Sequence, residues 1–258
     1  MPIAIINDTC IHYRTDGDRR LPALLLSNSL GTDLSMWQGQ AGELAEHYHL
    51  VRYDTRGHGL SASLPGPYAI GQLGADVVAL LDHLELEKAH FCGLSMGGVT
   101  GQWLGVHAAR RIGKLVLANT AARIGTEDGW QARAAAVRAQ GLGPIADSAA
   151  SRWFTPEFIQ RQPAVADAMA NRLRGQNYEG YAACCDALAG ADLRGEIHAI
   201  TSPTLIIAGT ADPVTTLADA EAMRSAITGA RLAVLPASHI SSVEAPAAFT
   251  RVLLEFLT

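Results

Sequence analysis

The sequence predicts an α/β fold, a mostly parallel central sheet flanked by helices, with a helical lid inserted after the sixth strand. Three observations predict it. Short runs rich in Val, Leu and Ile alternate with helical patterns through the first half of the chain and again near its end, as in a parallel sheet covered on both faces. Residues 121–190 contain no convincing strand and interrupt that alternation. A chain of 258 residues, 48% apolar and 17% charged, has room for one large domain or a domain with an insertion, burying roughly 70 to 75% of its unfolded surface.

Taken in order, residues 2–7 and 10–14 can pair as a hairpin around Asn7-Asp8-Thr9. Residues 23–28 carry no charge and run into Ser29-Leu30-Gly31, as a buried strand entering a loop does. A helix around 37–48 leads to a strand at 50–54. Leu73, Val77, Leu80, Leu81 and Leu84 follow at spacings of four, three, one and three, a 3.6-residue period that lays one helix face on the sheet. Residues 89–93 form a strand that turns sharply at Ser95 into a helix from near Gly97 to about Arg111, and 114–119 form the next strand. The insertion, 121–190, carries Trp130 and Trp153-Phe154. Strand 203–208, helix 217–227 and strand 231–236 resume the alternation, and a final helix carries Phe249, Val252, Leu253 and Phe256 on one face. No repeat, low-complexity tract or flexible linker divides the chain. Residues 1–120 and 191–258 therefore make the core, and 121–190 pack on the sheet's edge as a lid.

Composition removes several function classes. Twenty basic residues against 25 acidic ones give a net charge of -5 and a pI near 6.0, which is not a surface built to neutralise phosphates, so neither nucleic acid nor an acidic membrane is an expected partner. Of the four cysteines, Cys184 and Cys185 are adjacent and cannot bridge without strain, and none has the C-x-x-C spacing of zinc or redox sites. The N-terminus lacks the basic start and apolar stretch of a secretory signal, and no run approaches the ~20 apolar residues of a membrane helix. A soluble, reduced, cytoplasmic protein is expected. Nothing here bears on oligomeric state.

The segment that carries chemistry is Gly93-Leu94-Ser95-Met96-Gly97, a G-x-S-x-G sequence between a strand and a helix. A nucleophilic serine at the tip of a strained turn lies so close to neighbouring backbone that side chains at positions 93 and 97 would clash. The helix that follows aims free N–H groups and its positive dipole end at the same place, so the Met96 N–H can serve as one oxyanion donor. The run is not G-x-G-x-x-G, since Ser95 stands at the second glycine, and no Gly-Lys-Ser/Thr loop occurs. Nucleotide cofactors are not indicated.

A serine hydroxyl needs an adjacent base oriented by a buried carboxylate, and in an open parallel sheet all three come from loops at the carboxyl ends of strands. Asp212, just past a buried strand and before Pro213, is the expected acid, the alternative role being to cap the next helix. His239 follows the last strand, and Ser95, Asp212, His239 is the chain order this architecture demands. The histidines at 12, 47, 49, 83, 90 and 107 lie on helices or at strand starts and suit core or solvated roles. Leu30, following another buried strand, supplies the second oxyanion N–H. Asp54 and Arg56 are read as scaffolding that ties their loop to the nucleophile turn, and His58 stands beside the mouth with its role open.

These segments together resemble the α/β-hydrolase superfamily over essentially the whole chain, through Gly93-Leu94-Ser95-Met96-Gly97 and Asp54-Thr55-Arg56-Gly57-His58-Gly59. Within it, Ser27-Asn28-Ser29-Leu30-Gly31-Thr32 followed by Met36-Trp37 is similar to the 3-oxoadipate enol-lactonases, where many relatives have His-Gly in place of Ser29-Leu30. Residues 118–125 and 152–156 resemble the same family. The resemblance implies hydrolysis of the enol-lactone to 3-oxoadipate in the β-ketoadipate route of aromatic catabolism, with no metal or organic cofactor. The substrate is a small anionic lactone, so a cationic group near the pocket is expected. The insertion offers Arg123, Arg133, Arg138 and Arg152, of which Arg133 is chosen because it lies one turn from Trp130; Trp130 and Trp153 would line the apolar side. A general carboxylesterase or perhydrolase would keep the same serine, and a lactone-binding receptor on this fold is the non-enzymatic alternative.

Overall fold

The computed structural model describes residues 2–258. β1 (Ile3–Ile6) and β2 (Thr9–Asp16) form the expected antiparallel hairpin. Its turn holds Asn7 and Asp8 at φ of 46° and 57°, a left-handed conformation that Asn and Asp tolerate because their side chains bond locally. The other strands are β3 (Ala23–Ser27), β4 (His49–Tyr53), β5 (Ala89–Leu94), β6 (Ile112–Ala118), β7 (Thr204–Gly209) and β8 (Arg231–Leu235). They run in the order β1-β2-β4-β3-β5-β6-β7-β8. β2 meets β4 antiparallel, and every later pair is parallel. Every residue of β3, β4 and β7 is buried, which is why β3 and β7 read as largely continuous apolar runs rather than alternating ones.

Helices cover both faces. α1 (Gln38–Ala45) follows a 3-10 turn at Leu34–Trp37, α2 (Ile70–His83) buries the Leu73, Val77, Leu80 and Leu81 stripe, and α3 (Met96–His107) leaves the end of β5. Between β6 and β7 the chain forms α4 to α9, as Glu127–Gln140, Gly143–Asp147, Ala149–Trp153, Pro156–Arg161, Pro163–Arg174 and Tyr178–Ala189. α10 (Leu217–Ala226) joins β7 to β8, and α11 (Ser241–Glu244) and α12 (Pro246–Leu257) end the chain. α2 packs on α3, and α1 on α12. The chain leaves β3 for β4 on one side and returns to β5 on the other, so the loops after β3 and β5 diverge at a switch point where a crevice must open.

The helical segment between β6 and β7 covers that crevice, packing on the edge made by the carboxyl ends of the strands. Gln176 Oε1 accepts the Gly59 N–H at 2.7 Å, Ala183 O accepts the Tyr68 N–H at 3.3 Å, and Trp153 O accepts the Ile240 N–H at 3.0 Å. The tightest contact is backbone on backbone, since a Cβ placed on Gly180 would stand 2.3 Å from the Gly57 carbonyl oxygen. Gly180→Ala sets two effects against each other, a gain of about 1 kcal/mol in helix propensity and an overpacking cost of about 1–3 kcal/mol. Net destabilisation in urea unfolding is expected; a stabilised variant would mean that α9 does not touch the Gly57 loop in solution.

Candidate active site

Ser95 lies between β5 and α3 with φ 59° and ψ -116°, a strained conformation for a residue with a side chain. It is held there by its own peptide groups: the Ser95 N–H donates to Ala118 O at 2.9 Å, while Ser95 O accepts the Thr120 hydroxyl at 2.8 Å and the Val99 N–H at 3.0 Å. The flanking glycines are required by contact, because a Cβ on Gly93 would reach 2.0 Å from Gly97 O and one on Gly97 would reach 2.4 Å from Ser27 O.

Three side chains meet here from three loops. His239 Nε2 lies 2.9 Å from Ser95 Oγ, and His239 Nδ1 lies 2.9 Å from Asp212 Oδ2. A carboxylate only accepts, so Nδ1 carries the proton and Nε2 is free to accept the Ser95 O–H. All three residues are buried. Burial alone would raise the Asp212 carboxyl, but the hydrogen bond and charge of His239, with the Asn119 amide and the Thr215 N–H, outweigh it and hold the group at about 2. Capping is not its role, for α10 is capped by Thr216 in a capping box with Asp219.

The N–H groups expected to receive an oxyanion are those of Leu30 and Met96. Gly97 N–H donates to Asn28 O at 3.1 Å and Gly31 N–H to His58 Nε2 at 2.9 Å, whereas the Leu30 and Met96 N–H groups between them have no acceptor among the described residues. Asp54 and Arg56 are scaffolding, though not through the nucleophile turn. Asp54 accepts from His12 Nδ1 at 2.7 Å and from the Leu34 and Leu60 N–H groups, and Arg56 pairs with Asp76 of α2 at 2.5 Å. His12 is thus a buried partner in mid-strand rather than a residue at a strand start.

Comparison with known proteins agrees with this geometry. Residues 22–246 match the alpha/beta hydrolase fold family. The chain is 53% identical to 3-oxoadipate enol-lactonase 2 of Acinetobacter baylyi, over 94% of this chain and 91% of that one. It is 46% identical to enol-lactonase 1 of the same organism, over 96% and 92%. The crystal structure of the enol-lactonase from Burkholderia xenovorans superposes with a TM-score of 0.98 at 46% identity, covering 99% of each chain. The chain belongs to the α/β-hydrolase superfamily and, within it, to the 3-oxoadipate enol-lactonase family.

In this α/β hydrolase Ser95 and His239 open into a cavity of about 430 Å³ whose lining also includes Leu30, Trp130, Arg133 and Trp153. The Arg133 guanidinium stacks on the Trp130 ring at 4.9 Å, and the Trp130 Nε1–H is anchored on Ile124 O at 2.5 Å. Arg152 lines the same cavity. Arg123 and Arg138 do not, and they are paired instead with Asp192 at 3.1 Å and with Asp186 at 2.6 Å.

The sequence reading gives one residue of the site no role and leaves that of another open. Asn119, at φ 43°, donates to Asp212 Oδ2 at 3.0 Å and accepts from the Ser241 hydroxyl at 2.5 Å; the only signal was an Asn directly after a strand. His58 is the other. Because its Nε2 accepts the Gly31 N–H, it orders the oxyanion loop as a neutral imidazole, and burial pushes it down to about 4, against the opposing pull of the Arg56 carbonyl and the Asp54 and Asp33 charges. Between pH 6.5 and about 4 the unfolded chain binds a proton that the native His58 does not, so this group's stabilisation is complete above 6.5 and is lost as pH falls toward 4, by about 3 kcal/mol in all. His58→Gln should flatten the wild-type loss of stability over that window, read from urea midpoints. A variant with the wild-type slope would show that His58 is protonated in the native protein.

Proposed function

We propose that Ser95, His239 and Asp212 act as nucleophile, base and orienting acid in the hydrolysis of 3-oxoadipate enol-lactone to 3-oxoadipate. The observation that carries the reading is the unbroken hydrogen-bonded chain from Asp212 through His239 to Ser95 at the floor of the cavity. The near full-length identity to named enol-lactonases supports the choice of substrate. A receptor would have no use for a serine held in strain beside a base, so the catalytic reading is favoured over the binding one.

Ser95 Oγ attacks the lactone carbonyl carbon as its proton passes to His239 Nε2. The carbonyl oxygen takes the negative charge and is held by the Leu30 and Met96 N–H groups, the Met96 donor being reinforced by the start of α3. Collapse of the tetrahedral intermediate breaks the ring C–O bond, and the departing enol oxygen takes the proton from His239 before tautomerising to the ketone. The opened chain stays attached to Ser95 as an ester. One water then gives its proton to His239 and its hydroxyl to the acyl carbon, and Ser95 leaves with the proton. Water is the sole co-reactant.

Residues 121–190 serve as the lid in this reading, with Trp130 and Trp153 against the ring and Arg133 facing the substrate carboxylate. A cytoplasmic site of action fits the four free cysteines, and among the described residues no helix is long and apolar enough to cross a membrane. Ser95→Ala should lower kcat by roughly four to six orders of magnitude without changing the unfolding midpoint much. Steady-state assays on the enol-lactone beside an aryl acetate decide the substrate. Turnover of the acetate with none of the lactone would overturn the assignment and leave an esterase, whereas full activity in Ser95→Ala would overturn the site itself.

A further inference from the structure

Of the seven arginines of the helical segment, Arg123, Arg133, Arg138 and Arg152 fall into two kinds. Arg123 and Arg138 are neutralised by carboxylates on the outside of the segment. Arg133 and Arg152 form no ion pair among the described residues, and both line the cavity that holds Ser95 and His239. Their partners are neutral ones. Arg152 donates to Ser148 Oγ at 2.5 Å and to Ile145 O at 3.0 Å, and Arg133 rests on the Trp130 ring. Such partners fix where a guanidinium points without cancelling its charge.

The rest of the lining sharpens the contrast. No Asp or Glu lines this cavity; Asp212 lies behind His239. A chain of net charge -5 therefore encloses a pocket that carries two uncompensated positive charges. The two are near enough to interact, since Arg152 is made less basic first by burial and then by the charge of Arg133. An unliganded pair of this kind repels itself, and a carboxylate between the two would relieve the repulsion while accepting directed N–H bonds from both.

We infer that Arg152 joins Arg133 in a two-arginine subsite that selects esters and lactones bearing a carboxylate over neutral ones and that also binds short dicarboxylates. The inference rests on Ser95 as the nucleophile but not on the identity of the lactone. It assigns Arg152 a role in specificity, with the catalytic steps left to the triad.

The test compares kcat/KM for an aryl hemisuccinate with that for the corresponding aryl acetate, in the wild type and in Arg133→Met, Arg152→Met, Arg152→Lys and the double Met variant. The wild type should favour the charged ester. Each Met variant should reduce the charged-to-neutral ratio by about tenfold or more, through KM, as expected for loss of a charge-assisted hydrogen bond. Arg152→Lys should recover part of the ratio, because the charge is kept and only the fork geometry is lost. Succinate should inhibit the wild type competitively, and less so each Met variant. The subsite is overturned if Arg152→Met keeps the wild-type ratio, or if it loses both substrates in proportion, which is the signature of a purely structural residue. Selectivity for the hemisuccinate with no turnover of the enol-lactone would support the subsite and overturn only the proposed substrate.

Discussion

The site depends on one backbone contact, the Gly97 peptide pressed against the end of β3. Gly97 N–H donates to Asn28 O, and the carbonyl of Ser27 occupies the space a Cβ on Gly97 would need. This contact locks the start of α3, and with it Ser95, to the strand from which the Leu30 N–H departs. Asn28 is itself fixed by its amide on Tyr53 O at 2.7 Å and by the Trp37 indole on its side-chain oxygen at 2.8 Å. Nucleophile, oxyanion loop and the end of β4 are thereby one rigid unit. The conformation at Ser95 costs about 1–3 kcal/mol, and the three hydrogen bonds that hold its peptide groups contribute about 1 kcal/mol each, so the strain is roughly offset where it arises. Preorganisation of this kind is what lets donors face a charge that exists only in the transition state.

Around that unit the protein spends several buried charges on geometry rather than on chemistry. The Arg56–Asp76 and His12–Asp54 pairs are both almost wholly enclosed. An ion pair as enclosed as Arg56–Asp76 gains little net stability once desolvation is counted. What they do is fix the loop 54–61, which in turn carries His58 to the Gly31 N–H and Gly57 to α9. The same loop therefore positions the loop after β3 on one side and the helical segment on the other. Catalytic geometry and closure of the cavity share a single support, and a change in either is transmitted through 54–61.

Much of this could be read from the sequence because it obeys local rules. The strands announced themselves as apolar runs of the right length, α2 as a 3.6-residue stripe, and the nucleophile by two glycines that only close backbone approach explains. Chain order then singled out Asp212 and His239, since few acids or histidines follow a buried strand in the second half. What stayed hidden depends on contacts between distant segments. Nothing near Asn119 reveals that it will meet Asp212, 93 positions later. Likewise Arg123, Arg133, Arg138 and Arg152 look alike in sequence, and only the acids that distant segments bring alongside separate the neutralised pair from the two that face the cavity. The reading of Asp54 and Arg56 as scaffolding was right in kind and wrong in partner for the same reason.

The charge distribution finally ties capture to the proposed lid. A protein of net charge -5 repels an anion weakly at long range, and screening removes most of that effect beyond about 8 Å at physiological salt. Attraction must then act at contact distance, inside a low-dielectric cavity where a guanidinium–carboxylate pair is worth far more than on the surface. Both cavity-lining arginines sit on the helical segment, whereas Ser95, His239 and the Leu30 and Met96 N–H groups follow the strands of the sheet. An anionic ligand spanning the two would bridge the helical segment and the sheet, so its binding free energy holds the reacting carbonyl toward Ser95. A neutral ester lacks that charged anchor on the helical segment and is oriented by apolar contacts alone.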